Sequence, residues 1–262
     1  MFYIESKNNS LYKETKKLKD RRGRTKSSKY IIEGFRLIQE ALKAKINVEY
    51  IFISSDKVSK IDEYLTDYLD DNIKIYEVDN NLIKELSDTE KPQGIIAVVK
   101  MKEYKINDNG NFYLLCDKVQ DPGNLGTIIR TAHAAGVDGI ILSKGTVDIY
   151  NEKVIRATMG SLFYIPILMD DENNSIVKSL CNKGFSLLAT SLEGDKDFFN
   201  EDLSGKVIVS VGNEGNGVSE EIYSLCDKKV KIPMPGGAES LNVAIATSII
   251  LYEKVRQNKL NF

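Results

Sequence analysis

No apolar run in this 262-residue chain approaches the ~20 residues needed to cross a bilayer. The start, Met-Phe-Tyr-Ile-Glu, lacks the charged lead and apolar stretch of a secretion signal, so a cytoplasmic protein is expected. Cysteine is scarce: Cys116, Cys181 and Cys226 are odd in number, far apart and set among apolar neighbours. That pattern argues against a disulfide framework or a zinc site and for buried thiols, and no metal site is expected. Histidine is scarcer still. His133 is the only one, and although its ordinary pKa suits a general base, an ordinary helical side chain is the expectation. Cofactor loops of the common kinds are also missing. Gly212-x-x-Gly215-x-Gly217 has the wrong order for a dinucleotide fingerprint, and no glycine-rich loop ends in Gly-Lys-Ser/Thr.

What is present fits a soluble chain of two ordinary domains, with 42% hydrophobic and 28% charged residues. The net charge of −2 hides an asymmetry. Residues 13–29 carry Lys13, Lys16, Lys17, Lys19, Arg21, Arg22, Arg24, Lys26 and Lys29 against Glu14 and Asp20, which makes this piece +7 and the remainder −9. A dense cationic segment on an acidic body predicts a polyanion partner, with residues 1–29 as a basic N-terminal arm rather than a solvated helix face.

From Tyr30 the spacing of Ile31, Phe35, Ile38, Ala41 and Leu42 predicts a helix, followed by a strand at Val48 to Ser54. A helix near Ser59 to Leu69, a strand at Ile73 to Val78, a helix at Asn80 to Leu86 and a strand at Ile95 to Val99 complete a small α/β domain over 30–105. It holds no paired carboxylates, histidine or cysteine cluster, or phosphate loop, so it is expected to hold a partner rather than do chemistry. Turn formers between Lys100 and Asn111 mark a linker. The second domain, 106–262, reads as a parallel sheet covered on both faces. Its buried-type strands are Phe112 to Cys116, Gly139 to Leu142, Tyr164 to Leu168, Phe185 to Thr190, Val207 to Val211 and Val230 to Ile232.

Ligands of parallel sheets collect beyond the carboxyl ends of the strands, and three informative loops lie there. One runs from Asp117 to Thr127 into a helix whose Leu125, Ile128, Ile129 and Ala132 face inward, leaving Arg130 outward. The second is Gly212-Asn-Glu-Gly-Asn-Gly-Val-Ser219. The third, Ile232-Pro-Met-Pro-Gly-Gly-Ala-Glu-Ser-Leu-Asn242, stops its strand with Pro233 and Pro235 and leads into an apolar helix, with Ser240 expected as N-cap. That helix is apolar on more than one face from Leu241 to Val255, so one side is expected on a second subunit. Any one loop alone is explained equally well as a structural turn.

Asn124-Leu-Gly-Thr-Ile-Ile-Arg130, Gly212-Asn-Glu-Gly-Asn-Gly217 and Ile232 to Asn242 resemble, in order and spacing, the three motifs of the SpoU (TrmH) family of RNA ribose 2'-O-methyltransferases. Tyr30-Ile-Ile-Glu-Gly-Phe-Arg36 and Pro92 to Ala97 resemble, less specifically, the ribosomal-protein-like RNA-binding domain of that family. The resemblance implies a trefoil-knotted α/β methyltransferase domain, S-adenosylmethionine as donor, a homodimer, and structured RNA as substrate, with 23S ribosomal RNA ahead of transfer RNA. Thr190, Gly212, Ile232 and Leu241 would hold the donor's adenosine end. Asn124, Arg130, Glu214, Ser240 and Asn242 would line the reaction side. A guanidinium is too weak an acid to serve as base, so Arg130 is read as a phosphate-positioning and charge-stabilising group. The competing readings are a surface arginine paired with Asp121 and, for the whole chain, an RNA-binding protein without turnover.

Overall fold

The computed structural model describes residues 2–194 and 196–260. In chain order its elements are β1 (Phe2–Ile4), α1 (Ser10–Lys17), α2 (Arg21–Ser27), β2 (Lys29–Glu33), α3 (Phe35–Lys43), β3 (Val48–Ser54), α4 (Lys60–Tyr64), β4 (Lys74–Val78), α5 (Asn80–Leu86) and β5 (Ile95–Lys100). There follow β6 (Phe112–Cys116), α6 (Pro122–Ala135), β7 (Gly139–Leu142), α7 (Glu152–Ala157), β8 (Ile167–Met169), α8 (Ser175–Asn182), β9 (Ser186–Thr190) and β10 (Lys196–Asp197). β11 (Val207–Val211), α9 (Glu220–Tyr223), β12 (Lys228–Lys231) and α10 (Val243–Leu260) complete the chain. None of the described helices is long and apolar enough to cross a membrane.

The chain divides into two compact units, Met1–Lys102 with Tyr150–Phe163, and Glu103–Ile149 with Tyr164–Phe262. The first is built on a five-stranded sheet of order β1-β4-β3-β5-β2, parallel through β1, β4 and β3 and antiparallel at β5 and β2. Two features here differ from the sequence reading. Residues 29–33 form a strand whose burial alternates, so Ile31 belongs to β2 and only the residues from Phe35 onward follow the helical period. The basic stretch is not an extended arm. Tyr12, Thr15 and Leu18, three apart among the lysines, turn inward, and Tyr12 and Leu18 join the core with Ile4, Tyr50, Phe52 and Leu82. A stripe at that spacing is enough to fold a highly charged helix onto a sheet. Residues 150–163, which interrupt the second unit in sequence, add α7 to the first, with the Tyr150 ring 4.4 Å from that of Tyr30.

The second unit carries a seven-stranded, wholly parallel sheet of order β10-β12-β9-β11-β6-β7-β8. The five residues of β6 and the five of β11 are all buried, as expected of central strands covered on both faces. Leu115, Ile141, Val177, Leu187, Ile208 and Ile222 pack into one core on one side. Cys116 is buried, Cys181 and Cys226 are half-buried, and all three are free thiols.

Candidate active site

In the second unit the strand registers bring the ends of four strands to one level. Val211 pairs with Cys116, Ser210 with Ala189, and Thr190 with Val230. Because all these strands run the same way, the carboxyl ends of β12, β9, β11 and β6 form one edge. The loops that leave it begin at Ile232, Ser191, Gly212 and Asp117.

Each loop is shaped by its own residues and then tied to its neighbours. Asp121 caps α6 by accepting from the Asn124 backbone N–H at 2.8 Å, and Pro122 occupies the first turn, where its missing donor costs nothing. In the second loop Asn213 and Gly217 exchange two backbone hydrogen bonds of 2.8 and 2.9 Å. The chain folds back so tightly there that a Cβ on Gly212 would fall 2.0 Å from the Gly217 carbonyl carbon, so only glycine fits. The Asn213 side chain donates to the Lys118 carbonyl at 2.9 Å, which joins the second loop to the first.

Glu214 completes that joint. Its carboxylate accepts from the Gln120 N–H at 3.1 Å, the Asp121 N–H at 3.0 Å and the Asn124 side-chain amide at 3.0 Å. Burial works against its charge, but the Asn124 amide and the backbone N–H groups, those of Asp121 and Gln120 among them, outweigh it and hold the carboxyl below its usual range. Glu214 is therefore an ionised clamp whose lone pairs are engaged, and a poor proton acceptor at neutral pH.

Asn124 extends the chain of contacts to the third loop. The Asn242 amide donates to Asn124 Oδ1 at 2.9 Å, while Asn242 Oδ1 accepts from the Ala244 and Ile245 N–H groups at 2.9 and 3.3 Å. Asn242, and not Ser240, is thus the N-cap of α10. The helix starts at Val243, and a capping oxygen has to reach the amides of its second and third residues. Ser240 is exposed and makes no hydrogen bond to a described residue.

Three of the sequence-nominated residues, Asn124, Glu214 and Asn242, therefore form one hydrogen-bonded line across three loops. Arg130 stands apart from it, exposed on α6 about 9 Å further along the helix axis. Its side chain makes no ion pair or hydrogen bond to any described residue, and Asp121 is engaged in capping. The guanidinium is available to an external anion. His133, one turn on, stacks against Tyr164 with parallel rings 5.1 Å apart.

One functional residue escaped the sequence reading. Asp117, 1% exposed, accepts from the Ser143 hydroxyl and the Ser219 N–H, both at 2.7 Å. It pins the far end of the second loop to the end of β6. The available signal was an acid placed directly after a strand of five apolar residues.

The edge also suits a nucleoside-bearing cation. Thr190 is half-buried, with its hydroxyl turned to the Ser210 carbonyl at 3.0 Å and its own carbonyl accepting from the Tyr223 hydroxyl at 3.0 Å, so Gly212 and Ile232 are the positions that offer mainly backbone groups. Leu192 and Leu241, in the loops after β9 and β12, are 60% and 37% exposed and add apolar surface at this edge. The carboxylates of Asp117 and Glu214 at the same edge complement a positive sulfonium.

Residues 111–252 match the model of the SpoU rRNA methylase family, and residues 9–97 that of an MRM3-like substrate binding domain. The chain belongs to the SpoU rRNA methylase family. Among curated relatives, it is 38% identical to the 23S rRNA (guanosine(2553)-2'-O)-methyltransferase RlmP of Bacillus subtilis, over 96% of this chain and 98% of that one. It is 32% identical to rRNA methyltransferase 3, mitochondrial, of Mus musculus, over 93% of this chain and 71% of that one. Among solved structures, the SpoU methyltransferase AviRb of Streptomyces viridochromogenes in complex with its cofactor AdoMet superposes with a TM-score of 0.87 at 30% identity, over 96% and 99% of the two chains. As a member of this family the chain is a methyltransferase with S-adenosylmethionine as its donor.

Proposed function

We propose that this SpoU-family enzyme moves the methyl group of S-adenosylmethionine to a ribose 2'-hydroxyl of 23S ribosomal RNA. The observation that carries the proposal is the line Glu214–Asn124–Asn242, which locks three motif loops together at the carboxyl edge of the sheet. The identity of the Bacillus subtilis relative makes the guanosine corresponding to its target the first nucleotide to examine.

In this reading Thr190, Gly212, Ile232 and Leu241 hold the adenosine end of the donor, and the donor supplies an electrophilic methyl on a positively charged sulfur. The chain's own residues supply placement and charge. Asn124 and Asn242, oriented by Glu214, present amide groups toward the reacting ribose, and the exposed Ser240 hydroxyl stands in the same loop. Arg130, whose side chain has no partner among the described residues, fixes the phosphate beside the target nucleotide and stabilises negative charge on the 2'-oxygen as its proton passes to solvent and S-adenosylhomocysteine leaves. The amide-bound Glu214 is a clamp and not the base.

The same family membership supports a trefoil knot, a cytoplasmic enzyme and a homodimer. For the dimer there is also a surface: Leu241, just before α10, and Ile245 and Tyr252 on it are exposed apolar residues, at 37%, 53% and 52%, while Ala244, Ile250 and Leu251 turn inward. The test is direct. Purified protein is incubated with 23S RNA and methyl-labelled donor, and the RNA is digested to nucleosides. Label in a 2'-O-methylnucleoside supports the assignment; label confined to a base, or donor binding without transfer to any RNA, removes it.

A further inference from the structure

We propose that α1 and α2 form a fixed rack of cations that grips RNA phosphates through Lys13, Lys17, Arg21, Arg22 and Lys26. The proposal rests on the methyltransferase reading for the identity of the polyanion, and it assigns a surface that the motif loops do not include.

The rack is rigid for identifiable reasons. Tyr12 donates its hydroxyl to the Leu82 carbonyl at 3.2 Å, and the Thr15 hydroxyl lies 3.0 Å from that of Tyr50, which anchors α1 to the sheet. Gly23 then packs against the end of α1 so closely that a Cβ there would sit 1.9 Å from the Lys17 carbonyl oxygen. Buried Arg24 donates to the carbonyls of Leu18 at 3.0 Å and Lys19 at 2.7 Å, the orphan acceptors that follow α1. Backbone contact and a capping guanidinium thus fix α2 on α1.

The nine basic residues divide by what they touch. Lys16 pairs with Glu85, Lys19 with Asp88 and Lys29 with Glu49, and Arg24 is spent on carbonyls. The side chains of Lys13, Lys17, Arg21, Arg22 and Lys26 are exposed and make no ion pair or hydrogen bond to any described residue. Exposed Glu14 and Asp20 offset part of that charge and leave a surplus of three. Lys13 with Lys17, and Arg22 with Lys26, stand four residues apart, about 6 Å along one helix face. Like charges at that spacing destabilise a helix slightly, a penalty that a polyanion beside them removes. The exposed positions of α2 are otherwise Thr25 and Ser27, with Ser28 just beyond, and offer none of the aromatic or aliphatic anchors that a protein interface needs. Phosphates need none, and cations fixed on helices lose less freedom on binding than those of a loose arm.

The test uses the full-length protein with all five residues changed to Gln, and a control in which exposed Lys74, Lys84, Lys105, Lys153 and Lys178 are changed to Gln. Binding to a 23S RNA fragment is measured across salt, alongside donor calorimetry and single-turnover methylation at saturating RNA. Losing five phosphate contacts should lower the slope of log affinity against log salt by about three or more. Affinity should fall about 10²-fold near 0.15 M salt, with donor binding and saturated rate within twofold of wild type. A set that keeps the charges, exchanging Lys and Arg at the five positions, should restore the slope. Equal slopes for the rack and control variants would overturn the proposal, including the case in which an acidic protein is the real partner. Wild-type protein that binds RNA with the expected slope but methylates nothing would instead count against the enzymatic reading and leave the rack standing.

Discussion

Glu214→Gln is the sharpest single perturbation of the loop clamp. The substitution keeps the shape of the side chain and one acceptor oxygen, but turns an NH2 group toward donors. Three N–H groups now converge on the carboxylate, from Gln120, Asp121 and Asn124. At least one bond is lost and the others lose their charge assistance. Hydrogen bonds to charged groups contribute about 1.5–3 kcal/mol each when sheltered. The site faces solvent, so about 2 kcal/mol in total is the reasonable expectation, or roughly 30-fold in rate if the loops must be joined for transfer. Single-turnover methylation with saturating RNA and donor isolates that effect. The pH dependence has a definite sign. The folded carboxyl is held below its usual range, so its stabilisation is present above the unfolded value of about 4.3 and is lost as pH falls through the folded one. Melting temperatures of wild type and variant should differ at pH 7 and converge as pH falls through the lowered folded value. A variant with full single-turnover rate, or one whose deficit persists unchanged in acid, would refute the clamp.

Arg130→Lys keeps the charge but loses the planar fork, and should cost ~10² in turnover with donor affinity unchanged; a near-normal rate in single-turnover assays would return Arg130 to an ordinary surface residue. Asn242→Ala removes the cap of α10 together with the link to Asn124, and should lower stability by about 1 kcal/mol by chemical denaturation and reduce methylation as well. Loss of stability alone would separate the cap from the site. In the first unit, burial and then the hydrogen bond and charge of Asp88 push Glu152 up to about 7. A raised folded pKa means that stability is fully present below the unfolded value near 4.3 and declines as pH rises through the folded one. Glu152→Gln should therefore melt higher than wild type at pH 8 and show a flatter profile between pH 5 and 8; identical profiles would contradict the raised pKa of Glu152.

Much of the site was legible because its loops follow strands of unmistakable character. β6, β7 and β11 lie where their apolar runs predict, and Asn124, Glu214 and Asn242 meet where those strands end. Features that depend on contacts distant in sequence were not legible. Ile31 satisfies both a helical and an alternating pattern, and only its pairing with Val98 on β5 makes it a strand residue. The charge of residues 13–29 masked the inward spacing of Tyr12, Thr15 and Leu18. Ser240 and Asn242 are equally good caps by residue type, and the choice is made by where the chain first turns helical. Nothing local marks residues 150–163 as part of the first unit, since that assignment arises from packing such as Tyr150 against Tyr30.

Ribose methylation of 23S RNA is tested most directly by mapping 2'-O-methyl groups across ribosomal RNA from cells with and without this protein, with the wild-type gene and the Arg130→Ala variant each restored in a further strain. One 2'-O-methyl site in 23S RNA should disappear with the protein, return with wild type and not return with Arg130→Ala. An identical map in all strains, or a lost modification on a base or a transfer RNA, would contradict it.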